Sequence, residues 1–235
     1  MEDVSKHPDP RLPRWRRTSS KSTIALASKN LNDTSNLARV VIVGTSCAGK
    51  TTFARVLADI LECPAVELDA LYWDSNWTPK PPEHFLRLVD AATSGSRWVV
   101  DGNYSVIRDT VWPRATAVIW LNLGFMTVFG RALRRTLRRS ISGELLYAGN
   151  RESLRRAFLS RESILLWVLT TYRERRRRYP SLRLIPRYQH LEWFELRSPA
   201  EAKAFLARAG SGGKPLAEET SREAATRRAL ADHDR

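Results

Sequence analysis

The sequence predicts an α/β domain of three layers around a parallel sheet. Two observations carry this. Short β-branched apolar runs alternate along the chain with segments of helical spacing, the pattern of strand-helix-strand units. The runs are apolar almost throughout, as strands covered on both faces are. Arg39-Val40-Val41-Ile42-Val43 is the first such run, and Thr52 to Leu61 follows with Phe53, Val56, Leu57, Ile60 and Leu61 spaced to share one helical face. Ala65-Val66-Glu67-Leu68 reads as a second strand ending at Asp69, and Pro82 to Ala92 as a helix with Phe85, Leu88 and Val89 inward. Arg97-Trp98-Val99-Val100 is a third strand ending at Asp101-Gly102, and Ala117 to Leu121 is a fourth. His190 to Leu196 is a fifth, before a helix over Pro199 to Ala209. Between the fourth and fifth strands lie about seventy residues of helical character, opened by Leu133 to Arg139 and closed by Ser160 to Arg178.

The first strand leads into Gly44-Thr45-Ser46-Cys47-Ala48-Gly49-Lys50-Thr51, which fills the phosphate-loop pattern G-x-x-x-x-G-K-[ST]. Thr52 carries on into the helix, so the motif has the strand-loop-helix setting it requires. Gly44 and Gly49 let the backbone fold back so that successive amides and the helix N-terminus face a β-phosphate. Lys50 then bridges the β- and γ-phosphates, and the Thr51 hydroxyl ligates magnesium. The loop predicts a bound nucleoside triphosphate; ATP is the default, because no Asn-Lys-x-Asp guanine motif occurs.

Ligands of open parallel sheets bind outside the carboxyl ends of the strands, and three strands here end in useful chemistry. Asp101, after Trp98-Val99-Val100, has the form of a Walker B acid that orders magnesium beside Thr51. Asp69 is placed to contact an acceptor or to take its hydroxyl proton. Tyr72, Trp73 and Trp77 follow Asp69 and read equally as a stacking surface, a lid or core packing. Gly102, Asn103, Tyr104 and Arg108 lie on the loop after the third strand, where polar groups of an acceptor would sit. His84 and His190 have no metal-ligand spacing.

The chain has 235 residues and a formal net charge of +14, enough for one core with tails. Residues 1–36, rich in Ser, Asn, Pro and charge, read as a disordered arm, and 211–235 as a disordered or weakly helical tail, leaving 37–210 as the folded domain. No apolar run approaches the ~18 residues of a membrane span, and the arm has no apolar signal core. Two cysteines, Cys47 and Cys63, exclude a disulfide framework and suit a reducing, cytoplasmic setting. Residues 131–187 hold 16 arginines against four acidic residues. That segment reads as a phosphate-handling lid, a polyanion-binding surface or a solvated helical face.

GTSCAGKT, LDALYWDSNW, WVVDGNYSVIRD, AVIWLNL with RALRRTLRR, and HLEWFELRSPAEAKAFL resemble, in order and spacing, the adenylate-kinase-like P-loop proteins often labelled DNA topology modulation proteins. The resemblance runs from about Arg39 to Ala209, and LDALYW and DGNY are its most specific parts. It implies a nucleoside-monophosphate-kinase fold with strand order 2-3-1-4-5 and an arginine-bearing lid after the fourth strand. Arg134, Arg135, Arg138 and Arg139 match the lid-entry arginines that neutralise charge on a transferring phosphoryl group. Asp101-Gly102 matches the start of the Asp-Gly-Phe-Pro-Arg signature of adenylate kinases. The chain then departs to Asn103-Tyr104-Ser105, with Arg108 the next arginine. The expectation is a magnesium- and ATP-dependent phosphotransferase acting on a small acceptor. The alternative is an ATP-dependent regulator that binds DNA or another polyanion through 131–187.

Overall fold

Successive residues of a strand point to opposite faces of its sheet, and in β1 (Arg39–Gly44) both faces are buried. The computed structural model describes residues 36–142 and 164–211. β1 is central, paired in parallel with β5 (Trp98–Asp101) on one side and β6 (Ala117–Leu121) on the other. β2 (Ala65–Glu67) lies outside β5, and β7 (Glu192–Leu196) lies outside β6, both parallel. Among these five strands the order is second, third, first, fourth, fifth. A two-stranded hairpin, β3 (Trp73–Asp74) with β4 (Thr78–Pro79), is an addition that the sequence pattern did not announce.

Val40, Ile42, Val99, Ala117, Ile119 and Phe194 face one layer, where they meet Phe53 and Leu57 of α1 (Lys50–Ile60) and Phe205 of α7 (Pro199–Gly210). Val41, Val43, Val66, Val100 and Val118 face the other, against Phe85 and Val89 of α3 (Pro82–Ala92). The chain is thus a three-layer αβα domain with a parallel five-stranded sheet. A short helix, α4 (Arg108–Val111), precedes β6, and after β6 come α5 (Phe125–Ser142) and α6 (Ile164–Arg183). Tyr172 of α6 joins the first core cluster while Tyr179 and Leu182 join the second, so this helix passes over the carboxyl edge of the sheet from one layer to the other.

Some details differ from the sequence expectation, while the end of the third strand agrees with it. α1 buries Phe53, Ala54, Leu57 and Ala58, whereas Val56 is 41% exposed. Two alanines let the helix lie close to the sheet, which turns the apolar face away from Val56. β2 stops at Glu67, and Asp69 sits in the first turn of the short helix α2 (Leu68–Tyr72). Asp101 is the last residue of β5, held there by its register with Ile42 and Glu67. Among the described residues no helix is long and apolar enough to cross a membrane. The expectations for the N-terminal arm and the C-terminal tail, Asn36 and Ser211 apart, and for the middle of the arginine-rich insert concern positions outside the described residues.

Candidate active site

The loop between β1 and α1 takes its shape from residues in the left-handed region. Cys47 has φ 63°, Gly49 φ 92° and Gly44 φ 153°. A Cβ on Gly44 would lie 2.7 Å from the Leu121 carbonyl oxygen, so β1 and β6 approach there as only glycine permits. The Ala48 amide donates to the Thr45 carbonyl at 3.1 Å, closing the turn. Gly49 caps α1 without a side-chain hydrogen bond, and the first turn of α1 carries no acid. Its amide donors and positive dipole end are therefore left to an anion.

Thr51 and Asp101 meet at this site. The Thr51 hydroxyl donates to Asp101 Oδ2 at 2.5 Å. Asp101 is buried, and its Oδ1 has no hydrogen-bond partner among the described residues. Burial raises the pKa of its carboxyl above the ordinary carboxylate value, against the pull of Lys50 and the Thr51 hydrogen bond, with Asp69 and Glu67 adding to the rise. A buried carboxylate oxygen that lacks a donor, beside a hydroxyl and an ammonium, is a hard-oxygen arrangement that fits magnesium carried in on phosphates. Among the described residues no cluster of three His, Cys, Asp or Glu side chains forms an all-protein metal cage.

Across the strand ends, the Tyr104 hydroxyl donates to Asp69 Oδ1 at 2.6 Å. Aromatic rings pack around this pair. Tyr72 lies 4.7 Å from Tyr104 and 4.8 Å from Trp73, and Phe85 lies 5.2 Å from Tyr104. Tyr72 is buried as core, whereas Trp73 and Tyr104 are half-buried. Trp77, with φ 55°, packs edge-on to Trp73 at the hairpin tip. Gly102 has no room for a side chain, since its Cβ would lie 2.6 Å from Leu68 Cδ1. Arg108 is buried, its guanidinium 5.7 Å from the Trp112 ring centre.

Among the described residues, the arginines that hydrogen-bond to the phosphate loop are not the ones singled out from sequence. Arg131 of α5 donates to the Ala48 carbonyl at 2.8 Å, and Arg175 of α6 to the Gly44 carbonyl at 3.1 Å. Arg134 and Arg138 are exposed and Arg135 is half-buried on α5. The available signal for Arg131 was its place one helical turn beyond the apolar Val128, which the core covers; nothing in the run Arg175 to Arg178 distinguished its first member.

No protein-family model matches the chain, and no curated protein matches it. Among solved structures, a gluconokinase from Sinorhizobium meliloti 1021 aligns over 80% of this chain and 97% of its own, at 17% identity and TM-score 0.43. A shikimate kinase from Acinetobacter baumannii in complex with shikimate aligns over 74% of this chain and 91% of its own, at 14% identity and TM-score 0.45. A shikimate kinase from Bacteroides thetaiotaomicron aligns over 73% and 95%, at 14% identity and TM-score 0.42.

Proposed function

We propose that this chain is a phosphotransferase that moves the γ-phosphoryl group of ATP onto a hydroxyl of a small acceptor. The observation that carries the reading is the meeting of three strand ends: the loop with Lys50 and Thr51, the Thr51 to Asp101 contact, and Asp69 with Tyr104 on the neighbouring strand exit. The loop runs through Gly44, Thr45, Ser46, Cys47, Ala48, Gly49, Lys50, Thr51 and Thr52; Gly44 gives its amide to Asn103 and Ala48 gives its amide to Thr45, so the other amides of the loop are the ones to cradle the α- and β-phosphates, and Lys50 draws charge from the γ-phosphoryl group. Thr51 and Asp101 would hold a magnesium ion, which when bound would supply positive charge to offset that of the phosphates. Tyr104 fixes Asp69 through Oδ1 and leaves Oδ2 to accept the acceptor proton. The acceptor oxygen bonds to the γ-phosphorus as the bond to the bridging oxygen breaks, and ADP leaves with that electron pair. Tyr72, Trp73, Gly102, Asn103 and Arg108 border the acceptor's side of the edge, and Arg134, Arg135 and Arg138 are lid groups in this reading.

The test is a thermal-shift screen of magnesium-ATP with hydroxylated acceptors on wild type and Lys50→Ala. Binding to the folded state alone raises stability by RT ln(1 + [L]/Kd), so a hundredfold excess over Kd stabilises by about 2.7 kcal/mol. Lys50→Ala should keep the fold and lose both the ATP-dependent shift and transfer. If it keeps both, the reading is wrong.

A second reading, nucleotide-dependent binding of DNA or another polyanion, draws on one observation. Arg131, Arg134 and Arg138 of α5 and Arg173, Arg176 and Arg177 of α6 are exposed on two packed helices. A DNA binding constant whose logarithm falls linearly with the logarithm of salt concentration would support it.

A further inference from the structure

Asn103 stands two residues beyond the Walker-type acid, at the carboxyl edge of the sheet, and its amide is spent on the chain itself. Its Oδ1 accepts from the Gly44 amide at 3.1 Å, and its Nδ2 donates to the Gly44 carbonyl at 2.7 Å. One side chain thereby grips both backbone groups of the first residue of the phosphate loop. Each oxygen then takes a second donor. The Tyr179 hydroxyl of α6 donates to Asn103 Oδ1 at 2.8 Å, and Arg175 of the same helix donates to the Gly44 carbonyl at 3.1 Å. Both oxygens have two lone pairs, and both are filled.

The surroundings make this knot stiff. Tyr179 is only 3% exposed, and its ring lies 5.3 Å from that of Trp120 on β6. Burial pushes its hydroxyl above the ordinary tyrosine range, although Arg175, Arg108 and Arg178 stand close enough to oppose the rise. It therefore stays protonated, and a donor, at neutral pH. Gly44 has no side chain of its own with which to fix the orientation of its peptide, and its positive φ belongs to a region glycine crosses freely. The hold on that peptide comes from Asn103 and α6.

We propose that Asn103 and Tyr179 are positioning residues for the nucleotide: acting through Gly44, they hold the phosphate loop in its anion-binding shape. The helix that closes the arginine-rich insert is thereby made part of the loop's support. This rests on the reading of the loop as the ATP site. A loop that spends less time in the competent shape binds with an apparent Kd raised by the inverse of that fraction.

The experiment measures magnesium-ATP affinity by titration calorimetry, and melting by circular dichroism, on the full chain. The variants are Tyr179→Phe, Asn103→Ser, their double, and Lys50→Ala as the control that removes the site. Tyr179→Phe keeps the ring against Trp120 and removes one hydrogen bond. Its Kd should rise about fivefold, the scale of one net hydrogen bond. Asn103→Ser should weaken binding more. The double should bind no worse than Asn103→Ser, because Tyr179 acts through Asn103 and the two effects are not additive. A lower melting temperature with unchanged Kd in Tyr179→Phe would overturn the proposal and leave a merely structural contact. Additive losses in the double would overturn the route through Asn103. If wild type binds magnesium-ATP no better than Lys50→Ala, the nucleotide reading itself fails, an outcome distinct from both.

Discussion

Gly102→Ala reaches both halves of the site through one added carbon. Gly102 has φ +152°, and a Cβ there would stand 2.6 Å from Leu68 Cδ1, 2.9 Å from Leu68 Cβ and 3.1 Å from Leu68 Cγ. Optimal carbon-carbon separations are about 3.5–4.0 Å, so Leu68 has to retreat by roughly 1 Å. Its Cδ1 can swing away, but its Cβ is tied to the backbone, and the residue is fully buried in the cluster of Phe85 and Val100. Overpacking of this kind costs roughly 1–3 kcal/mol, and holding a side chain at that φ costs roughly 1–3 kcal/mol more. The combined loss of about 2–6 kcal/mol is a large share of the ~5–15 kcal/mol that stabilises a domain. Urea unfolding should show a lower midpoint at unchanged slope. Leu68→Ala removes the clashes with Cγ and Cδ1 but keeps that with Cβ, so the double variant should lose less stability than the two single losses added together, with a coupling of roughly 0.5–3 kcal/mol. A loss below about 0.5 kcal/mol, or strict additivity with Leu68→Ala, would refute the close packing of the β5 exit against α2.

Asp101→Asn should trade stability against function. The folded-state pKa of Asp101 is raised, chiefly by burial, so the stability tied to its protonated form is present at low pH and lost as pH rises through the folded value. The uncharged amide escapes that loss. Without magnesium, Asp101→Asn should unfold at higher urea than wild type at pH 7, and the gap should close as pH falls toward the ordinary aspartate value of about 3.9. A gap that widens on acidification would reverse the argument. Arg134→Ala and Arg138→Ala remove exposed side chains, so stability should stay within about 0.5 kcal/mol. As lid groups they would lower kcat by up to roughly 10³-fold with a smaller effect on ATP binding. As part of a polyanion surface, each arginine that pairs with a phosphate would take about 1 off the salt slope of DNA binding when removed.

The sheet was legible because its central strands are buried on both faces: Val40 to Val43 and Ala117 to Leu121 leave no polar alternation to confuse with a surface strand. The phosphate loop was legible for a different reason, since its glycines meet backbone demands at fixed spacing. Where the reading slipped, tertiary contact outweighed local pattern. Val56 fits the helical period as well as Ala54 does, and only the closeness of α1 to the sheet decides which is covered. Asp69 follows an apolar run that extends naturally to Leu68, yet the chain leaves the ladder after Glu67, which pairs with Asp101. The hairpin after α2 rests on Asn76 and Trp77 at positive φ. For a tryptophan that is a conformation no propensity predicts.

The site divides along the same line. Residues whose role is set by neighbours in sequence, such as Lys50 beside Gly49, are named by a motif. Residues whose role is set by the path of a distant helix are not. Arg175 and Tyr179 lie over 130 residues from Gly44 in the chain, within a run of arginines whose members look alike, and Pro180 beside Tyr179 reads as a stop. What selects them is the passage of α6 across the carboxyl edge, which turns one face of the helix onto Gly44 and Asn103. That passage also changes the meaning of DGNY. Asn103 has its oxygen filled by Gly44 and Tyr179, and Tyr104 has its hydroxyl on Asp69. The polar groups that follow Gly102 are thus engaged with the chain, one supporting the phosphate loop and the other holding the carboxylate proposed as the base. Under that proposal an acceptor at this edge meets Asp69 with its Oδ1 already held by Tyr104, and a carboxylate set in place beforehand is what positioning contributes to proton transfer.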